Sequence, residues 1–143
     1  MPVYRGFYPK AKLLGVDISS VGIEKCRKTY GHLAEFLIGT EKEVPNVDIV
    51  IASNVFEHLT NDKEVAKEIL RKAGRLYIIV PYMEEPLMDE HVNSYDEFYF
   101  SGLNVLWFKV FHAEGWTESG FRLFKLRVRN LIRLLTGSDA AQV

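Results

Sequence analysis

Two histidines, His58 and His91, are the side chains of this sequence best suited to move protons near neutral pH. A histidine beside a substrate hydroxyl can act as its general base. Each has a structural alternative, because a histidine in a turn often only orients the local backbone through a hydrogen bond. We therefore treat both as candidate catalytic residues, His58 in a turn that follows an apolar run and His91 in an acidic loop.

Polar side chains stand at the ends of two apolar runs. Asp17 follows the run at residues 12–16, Ser53 ends the run at residues 48–53, and Asn54 follows it. In parallel α/β sheets, ligands bind beyond the carboxyl ends of the strands, and an acidic residue there accepts hydrogen bonds from ribose hydroxyls. The carboxylate of Asp17 is chemically able to accept such hydrogen bonds. The alternative is that Asp17 only caps the helix that follows.

Short apolar runs alternate with helix-like segments through the first 80 or so residues. The predicted strands are residues 12–16, 34–38, 48–53 and 76–80. One predicted helix starts at Ser19 or Ser20 and runs to about Tyr30, and a second runs from Asn61 or Asp62 to about Lys72. This alternation is typical of an α/β fold with a mostly parallel sheet and helices on both faces.

The last forty residues have a less regular pattern. Residues 105–111 (VLWFKVF) are rich in β-branched and aromatic side chains, which favours a strand, and a helix ending at Gly115 is an alternative there. A last strand is predicted at residues 121–128 and a short amphipathic helix at residues 131–135. We expect one domain over residues 1–136 and a flexible tail at residues 137–143.

Composition narrows the class of protein. Cys26 is the single cysteine, so one chain has no disulfide framework, and no ligand-spaced cluster of His, Cys and Asp predicts a metal site. The net charge of −1 gives no indication of nucleic-acid binding. No apolar run reaches the ~20 residues of a membrane span, and the N-terminus lacks a signal-peptide core. We expect a cytoplasmic protein.

Three stretches occur together in a specific order: residues 8–19 (YPKAKLLGVDIS), 46–59 (NVDIVIASNVFEHL) and 73–81 (AGRLYIIVP). Together they resemble the class I S-adenosylmethionine-dependent methyltransferases, over roughly residues 8–81. The resemblance implies a Rossmann-like sheet of strand order 3-2-1-4-5-7-6, with antiparallel strands at the C-terminal edge. The implied activity is methyl transfer from S-adenosylmethionine to an acceptor that is a small molecule or a surface polymer.

The resemblance also implies which residues contact the donor. Asp17 would bind the ribose and Ile18 would pack on the adenine. Thr40 or Glu41 would stand where the family often has an acidic residue near the adenine amine. The residues at the end of the third predicted strand would face the methionine moiety, with Asn54 as a hydrogen-bonding group; they are Ser53, Asn54 and Val55.

The family's first strand, glycine-rich loop and first helix should precede Asp17, but only 16 residues do so, and their only glycines are Gly6 and Gly15. A strand, the loop and a helix do not fit there. The chain is then either an incomplete methyltransferase domain with weak donor binding or an inactive interaction module. Another Rossmann-like nucleotide binder is a third alternative. The strands that flank the missing one also predict self-association, for example a homodimer.

Overall fold

The computed structural model describes residues 1–112 and residues 129–136, the latter by their backbone. The chain divides into two compact units, Met1–Pro45 and Asn46–Val143. Within the described residues, no helix combines the length and the apolar character needed to cross a bilayer.

The first unit is a parallel strand pair with two helices. Its elements are α1 Pro2–Phe7, β1 Leu14–Asp17, α2 Ser20–Tyr30, β2 Glu35–Ile38 and a 3-10 turn Glu41–Glu43. Strands β1 and β2 pair in parallel, with Asp17 opposite Ile38. Helix α2 starts where the Ser19 hydroxyl accepts a hydrogen bond from Gly22 N at 3.0 Å, as an N-cap does.

Helix α2 is fastened to β2 by an arginine. Both Nε and Nη2 of Arg27 donate to the Phe36 carbonyl oxygen, at 3.1 and 2.7 Å. The Phe36 ring is buried with Ile23 of α2. It crosses Gly15 so closely that a Cβ there would lie 2.8 Å from Phe36 Cδ1, so β1 requires glycine at this position. These contacts hold the two strand ends of the unit in register.

In its described residues, the second unit has a four-stranded mixed sheet and one α-helix. Its elements are β3 Val47–Ser53, a 3-10 turn Phe56–His58, α3 Asp62–Leu70, β4 Ala73–Tyr82, β5 Val105–His112 and β6 Arg129–Thr136. The strand order is β3-β4-β6-β5. Strands β3 and β4 pair in parallel, and β6 is antiparallel to both of its neighbours. The core contains buried residues of α3 and β4 and the aromatic residues Phe56, Tyr95 and Phe100.

Most of the predicted elements are confirmed. The four strands of the first 80 residues, both predicted helices and the strand at residues 105–111 occur, and the C-terminal strands are antiparallel as expected. The expectation of one continuous sheet was wrong, because the described strands form a two-stranded and a four-stranded sheet. In the family order, the strand between β1 and β3 joins these two groups, and no described strand takes that place.

A second correction concerns residues 131–135, which were predicted as a helix and belong to strand β6. A single short helix gains little from its own hydrogen bonds, whereas this segment is paired with β4 on one side and β5 on the other. Its backbone groups are therefore satisfied on both edges. The helix ending at Gly115, the alternative for residues 105–111, was wrong up to His112, because these residues form strand β5. Residues 113–115, the predicted strand at residues 121–128 and the tail at residues 137–143 lie outside the described residues. The single-domain boundary at residue 136 stays a prediction.

Candidate functional site

Asp17 lies at the carboxyl end of β1, exposed, as the sequence predicted. Its Oδ1 accepts a hydrogen bond from Ser19 N at 2.7 Å, and its carbonyl oxygen accepts one from Gly39 N at 3.0 Å. The first contact shapes the entry to α2 and the second joins the ends of β1 and β2. The neighbouring Ile18 is 76% exposed.

Thr40 and Glu41 follow β2 at the same edge of the two-stranded sheet. Thr40 forms a capping box with Glu43: its backbone N and its hydroxyl both donate to Glu43 Oε2, at 2.7 and 3.1 Å. The hydrogen bonds from Thr40 hold the pKa of the Glu43 carboxyl below its usual value. The first unit therefore brings Asp17, Ile18, Thr40 and Glu41 to one edge, where the Thr40 side chain already has a structural partner.

Ser53, Asn54 and Val55 leave the carboxyl end of β3. Ser53 is opposite Ile79 of β4, and Asn54 N donates to the Ile79 carbonyl oxygen at 3.0 Å. Asn54 has φ 53°, a left-handed conformation that asparagine tolerates better than most residues. The turn redirects the chain out of the sheet and into the 3-10 turn Phe56–His58.

Glu57 is the least expected residue of this turn, because its carboxylate is almost completely buried. It is 1% exposed, and within the described part of the chain its Oε2 has no hydrogen-bond partner. Burial raises the pKa of the Glu57 carboxyl, and the neighbouring histidines oppose that shift only in part. A buried oxygen without a hydrogen-bond partner has lost its hydrogen bonds to water and has gained none within the protein. This is unfavourable by about 1–3 kcal/mol.

The two predicted histidines meet beside Glu57. The ring centroids of His58 and His91 lie 4.8 Å apart in an edge-to-face arrangement. His58 Nδ1 is 3.1 Å from the Glu90 carbonyl oxygen, and His91 Nδ1 is 2.6 Å from Glu84 Oε2. Because a carbonyl oxygen only accepts, the Nδ1 of His58 carries the hydrogen and donates. Glu84 is itself 7% exposed, so the pair with His91 is shielded from water.

The loop that carries His91 is fastened to the turn that carries Glu57. Val92 N donates to the Glu57 carbonyl oxygen at 2.8 Å. Asn93 Nδ2 donates to the carbonyl oxygens of Phe56 and Leu59, at 3.3 and 2.6 Å. Tyr99 then donates its hydroxyl hydrogen to Asn93 Oδ1 at 3.1 Å. Residues 56–59 and 91–93 therefore form one hydrogen-bonded unit.

An aromatic cluster of Phe56, Tyr95, Tyr99 and Phe100 lies beneath this unit. The Phe56 and Phe100 rings are 6.1 Å apart edge to face, and Tyr95 and Phe100 stack at 5.7 Å. The Tyr95 hydroxyl donates to Asp62 Oδ2 at 3.0 Å, and burial together with Asp62 raises the pKa of Tyr95. The same two causes raise the pKa of Tyr99 to about 12. Both phenols therefore remain donors at neutral pH.

Glu57, His58 and His91 each offer one potential ligand atom, and these three atoms all lie within 4.8 Å of one another. Sequence reasoning selected the two histidines but missed Glu57 and Glu84. The adjacency of Glu57 and His58 was the only local signal, since His91 and Glu84 join them through tertiary structure. The group has the composition of a proton-transfer site or of a cation site.

The order of the strands and the polar residues at their carboxyl ends are those of a Rossmann-like fold. A family model described as "Methyltransferase domain" matches residues 3–78, more than half of the sequence. The chain belongs to this family of class I S-adenosylmethionine-dependent methyltransferases. No curated protein matches the sequence significantly.

Solved structures with the same fold include three of note. WbdD is 17% identical to this chain with a TM-score of 0.63, and the match covers 90% of this chain and 31% of WbdD. WbdD is described as a bifunctional kinase-methyltransferase. A putative type 11 methyltransferase from Sulfolobus solfataricus is 19% identical with a TM-score of 0.56, covering 97% and 82%. The N-terminal domain of EvdMO1 with SAH bound is 12% identical with a TM-score of 0.59, covering 94% and 68%. The chain thus spans about a third of WbdD.

Proposed function

We propose that this domain takes part in methyl transfer from S-adenosylmethionine to a small-molecule or polymer acceptor. Family membership and the fold shared with a domain that binds SAH support the choice of donor. The observation that carries the proposal is the parallel pairing of β1 and β2. It places Asp17 and the Thr40-Glu41 segment side by side at a carboxyl-end edge, where such sheets bind nucleosides.

Asp17 is proposed as the ribose ligand. Its contact with Ser19 N uses one acceptor position, and a carboxylate has two oxygens with about four such positions. Capping the turn and accepting ribose hydroxyls are therefore compatible. The exposed Ile18 side chain offers an apolar surface to the adenine ring. Either Thr40 or Glu41 is proposed near the adenine amine.

The end of β3 is proposed to face the methionine part of the donor, through Ser53, Asn54 and Val55. Methyl transfer needs alignment of the acceptor with the methyl group and exclusion of water, because the sulfonium is already activated. An oxygen acceptor also has to lose a proton. His91 suits that role because Glu84 orients its ring, as a third group orients the base in a catalytic triad. His58 is the second candidate base.

Donor binding is measured by equilibrium dialysis of the chain against tritium-labelled S-adenosylmethionine. We expect weak binding, in the high micromolar range or above, because no glycine-rich loop precedes Asp17 in these residues and each lost hydrogen bond is worth ~1 kcal/mol. Asp17→Asn keeps an oxygen for Ser19 N but loses the charge, and it should weaken binding about 10-fold or more. The control Glu24→Gln removes an exposed charge from α2 of the same unit and should leave binding unchanged. Equal binding by the two variants would contradict the assignment of Asp17.

A second candidate function is that of an interaction module. In the described structure, β3 is hydrogen-bonded to β4 alone, so its other edge has no strand partner. Ile49 and Ile51 of the same strand are 43% and 40% exposed. An apolar strand with an open edge favours association with another chain, for example as a homodimer.

Light scattering at micromolar concentration tests this candidate. We expect a dimer or larger species for the wild-type chain and a shift towards monomer for Ile51→Lys, since a lysine on an edge strand opposes pairing. Lys10→Arg keeps an exposed charge in the other unit and serves as the control. A wild-type monomer of 16.5 kDa with cooperative melting would contradict the interaction-module function.

A further inference from the structure

The unpartnered carboxylate oxygen of Glu57 requires an explanation in the described structure. Its side chain is 1% exposed, so water does not solvate it as it would a surface carboxylate. A buried carboxylate is stable when it is hydrogen-bonded, paired with a cation or bound to a metal ion. Two imidazoles lie nearby, those of His58 and His91. Each has a potential ligand atom within 4.8 Å of a Glu57 carboxylate oxygen.

Both imidazoles are held in the form that a metal ion needs. His58 donates from Nδ1 to the Glu90 carbonyl oxygen, and the Nδ1 of His91 lies 2.6 Å from the Glu84 carboxylate. With Nδ1 occupied in each ring, Nε2 is the nitrogen whose lone pair remains for a ligand. Metal-binding histidines typically hydrogen-bond a carboxylate or a backbone carbonyl through the other ring nitrogen, and here one ring has each kind of partner.

We propose that Glu57, His58 and His91 form a binding site for one divalent transition-metal ion. Two imidazole nitrogens and one carboxylate oxygen suit zinc, iron or manganese, and they do not suit the all-oxygen sites of calcium or magnesium. Three protein ligands leave at least one coordination position for water or for a substrate oxygen. Glu84 and the Glu90 carbonyl group orient the two rings from outside.

The required movement is small. Zinc ligands lie ~2.0–2.2 Å from the ion, so two tetrahedral ligand atoms are about 3.4 Å apart. A carboxylate oxygen of Glu57 and a ring nitrogen of each histidine lie within 4.8 Å of one another, which exceeds that spacing by at most about 1.4 Å. His58 is exposed, so its ring has room for a small adjustment towards buried Glu57. The hydrogen bonds from Val92 N and Asn93 Nδ2 hold the His91 loop in place meanwhile.

Such a site gives these residues a role different from that of general base. A metal ion takes up the Nε2 lone pair of each ring, so neither histidine accepts a proton while the ion is bound. The inference stands apart from the proposed methyl transfer, because the test measures the metal alone, without donor or acceptor.

Zinc binding is measured on the full chain, prepared without a histidine tag and stripped of metal, by competition with a chromophoric chelator. We expect one zinc ion per chain with a dissociation constant of micromolar or below. Glu57→Gln and His91→Gln should each weaken binding at least 10-fold. His32→Gln removes an exposed histidine of the other unit and should leave binding unchanged. Glu57→Gln keeps the side-chain shape and removes a buried charge, so we expect it to fold, which circular dichroism checks.

Cobalt provides a second measurement on the wild-type chain that needs no variant. One equivalent of Co²⁺ should produce visible absorption of a site with nitrogen and oxygen ligands, and zinc should abolish it. Absence of a stoichiometric cobalt spectrum together with absence of zinc binding would overturn the proposal. Zinc binding of equal strength in wild type, Glu57→Gln and His91→Gln would overturn it as well.

Discussion

Asn93→Asp is the most informative single change in the fold around the histidines. Asn93 Nδ2 donates to the carbonyl oxygens of Phe56 and Leu59, at 3.3 and 2.6 Å. Aspartate has the same shape, but its carboxylate would turn an acceptor towards both carbonyl oxygens. Two hydrogen bonds of ~1 kcal/mol each are lost, and the facing oxygens repel each other. We expect the free energy of unfolding to fall by about 2–4 kcal/mol.

Thermal and urea denaturation, followed by circular dichroism, measure this loss. For a chain of this length the expected fall in melting temperature is about 8–15 °C. Asn61→Asp makes the same chemical change at an exposed position whose side chain forms no capping hydrogen bond, and its effect should stay within about 0.5 kcal/mol. Tyr99→Phe removes the hydroxyl that donates to Asn93 Oδ1 and interacts with Asp62, and it should have an intermediate effect of about 1 kcal/mol. If Asn93→Asp and Asn61→Asp are equally stable, Asn93 does not fasten the His91 loop.

Two further predictions concern the first unit. Gly15→Ala places a Cβ 2.8 Å from a ring carbon of Phe36 and should destabilise the chain by about 1–3 kcal/mol. Gly6→Ala is the control, because its Cβ meets nothing within 4 Å. Equal melting temperatures of the two variants would refute this packing. Glu43 has a lowered pKa, so its contribution to the capping box is present above pH 4.5 and is lost as the pH falls through the lowered pKa. An NMR titration of the Glu43 carboxyl should therefore have its midpoint below 4.5. Thr40→Val should raise it in part, because the hydroxyl is lost while the backbone N–H remains; an unchanged midpoint would contradict the role of the Thr40 hydroxyl.

The sequence predicts correctly those parts of the fold that depend on residues close together in the chain. Consecutive apolar residues in β3 and β4 indicate strands that pair in parallel, and Ser19 caps α2 as its type predicts. Burial of β3 on both faces is not observed, because Ile49 and Ile51 are 43% and 40% exposed. The apolar residues at 131–135 of strand β6 fit either period, so the local pattern predicts a helix there. Its structure is determined by pairing with strands far away in the sequence.

The candidate site likewise contains residues that local sequence predicts and residues that only tertiary structure brings together. Asp17 and Asn54 were predicted at strand ends because each directly follows an apolar run, and the family resemblance implied their ligand roles. The approach of His91 to His58 depends on the hydrogen bonds of Val92 and Asn93 to the Phe56–His58 turn, which no local pattern encodes. The burial of Glu57 likewise arises from tertiary packing, so sequence analysis did not include this carboxylate.

The proposed donor site is tested most directly by NMR, with a ¹H–¹⁵N spectrum of the labelled chain titrated with S-adenosylhomocysteine up to millimolar concentration. This method detects weak binding and identifies the residues involved. We predict concentration-dependent shifts for the amides of residues 17–19, 40–41 and 53–55, reduced by Asp17→Asn and unchanged by Glu24→Gln. A folded chain whose amides do not shift, or shift only outside these residues, would contradict the proposed donor site.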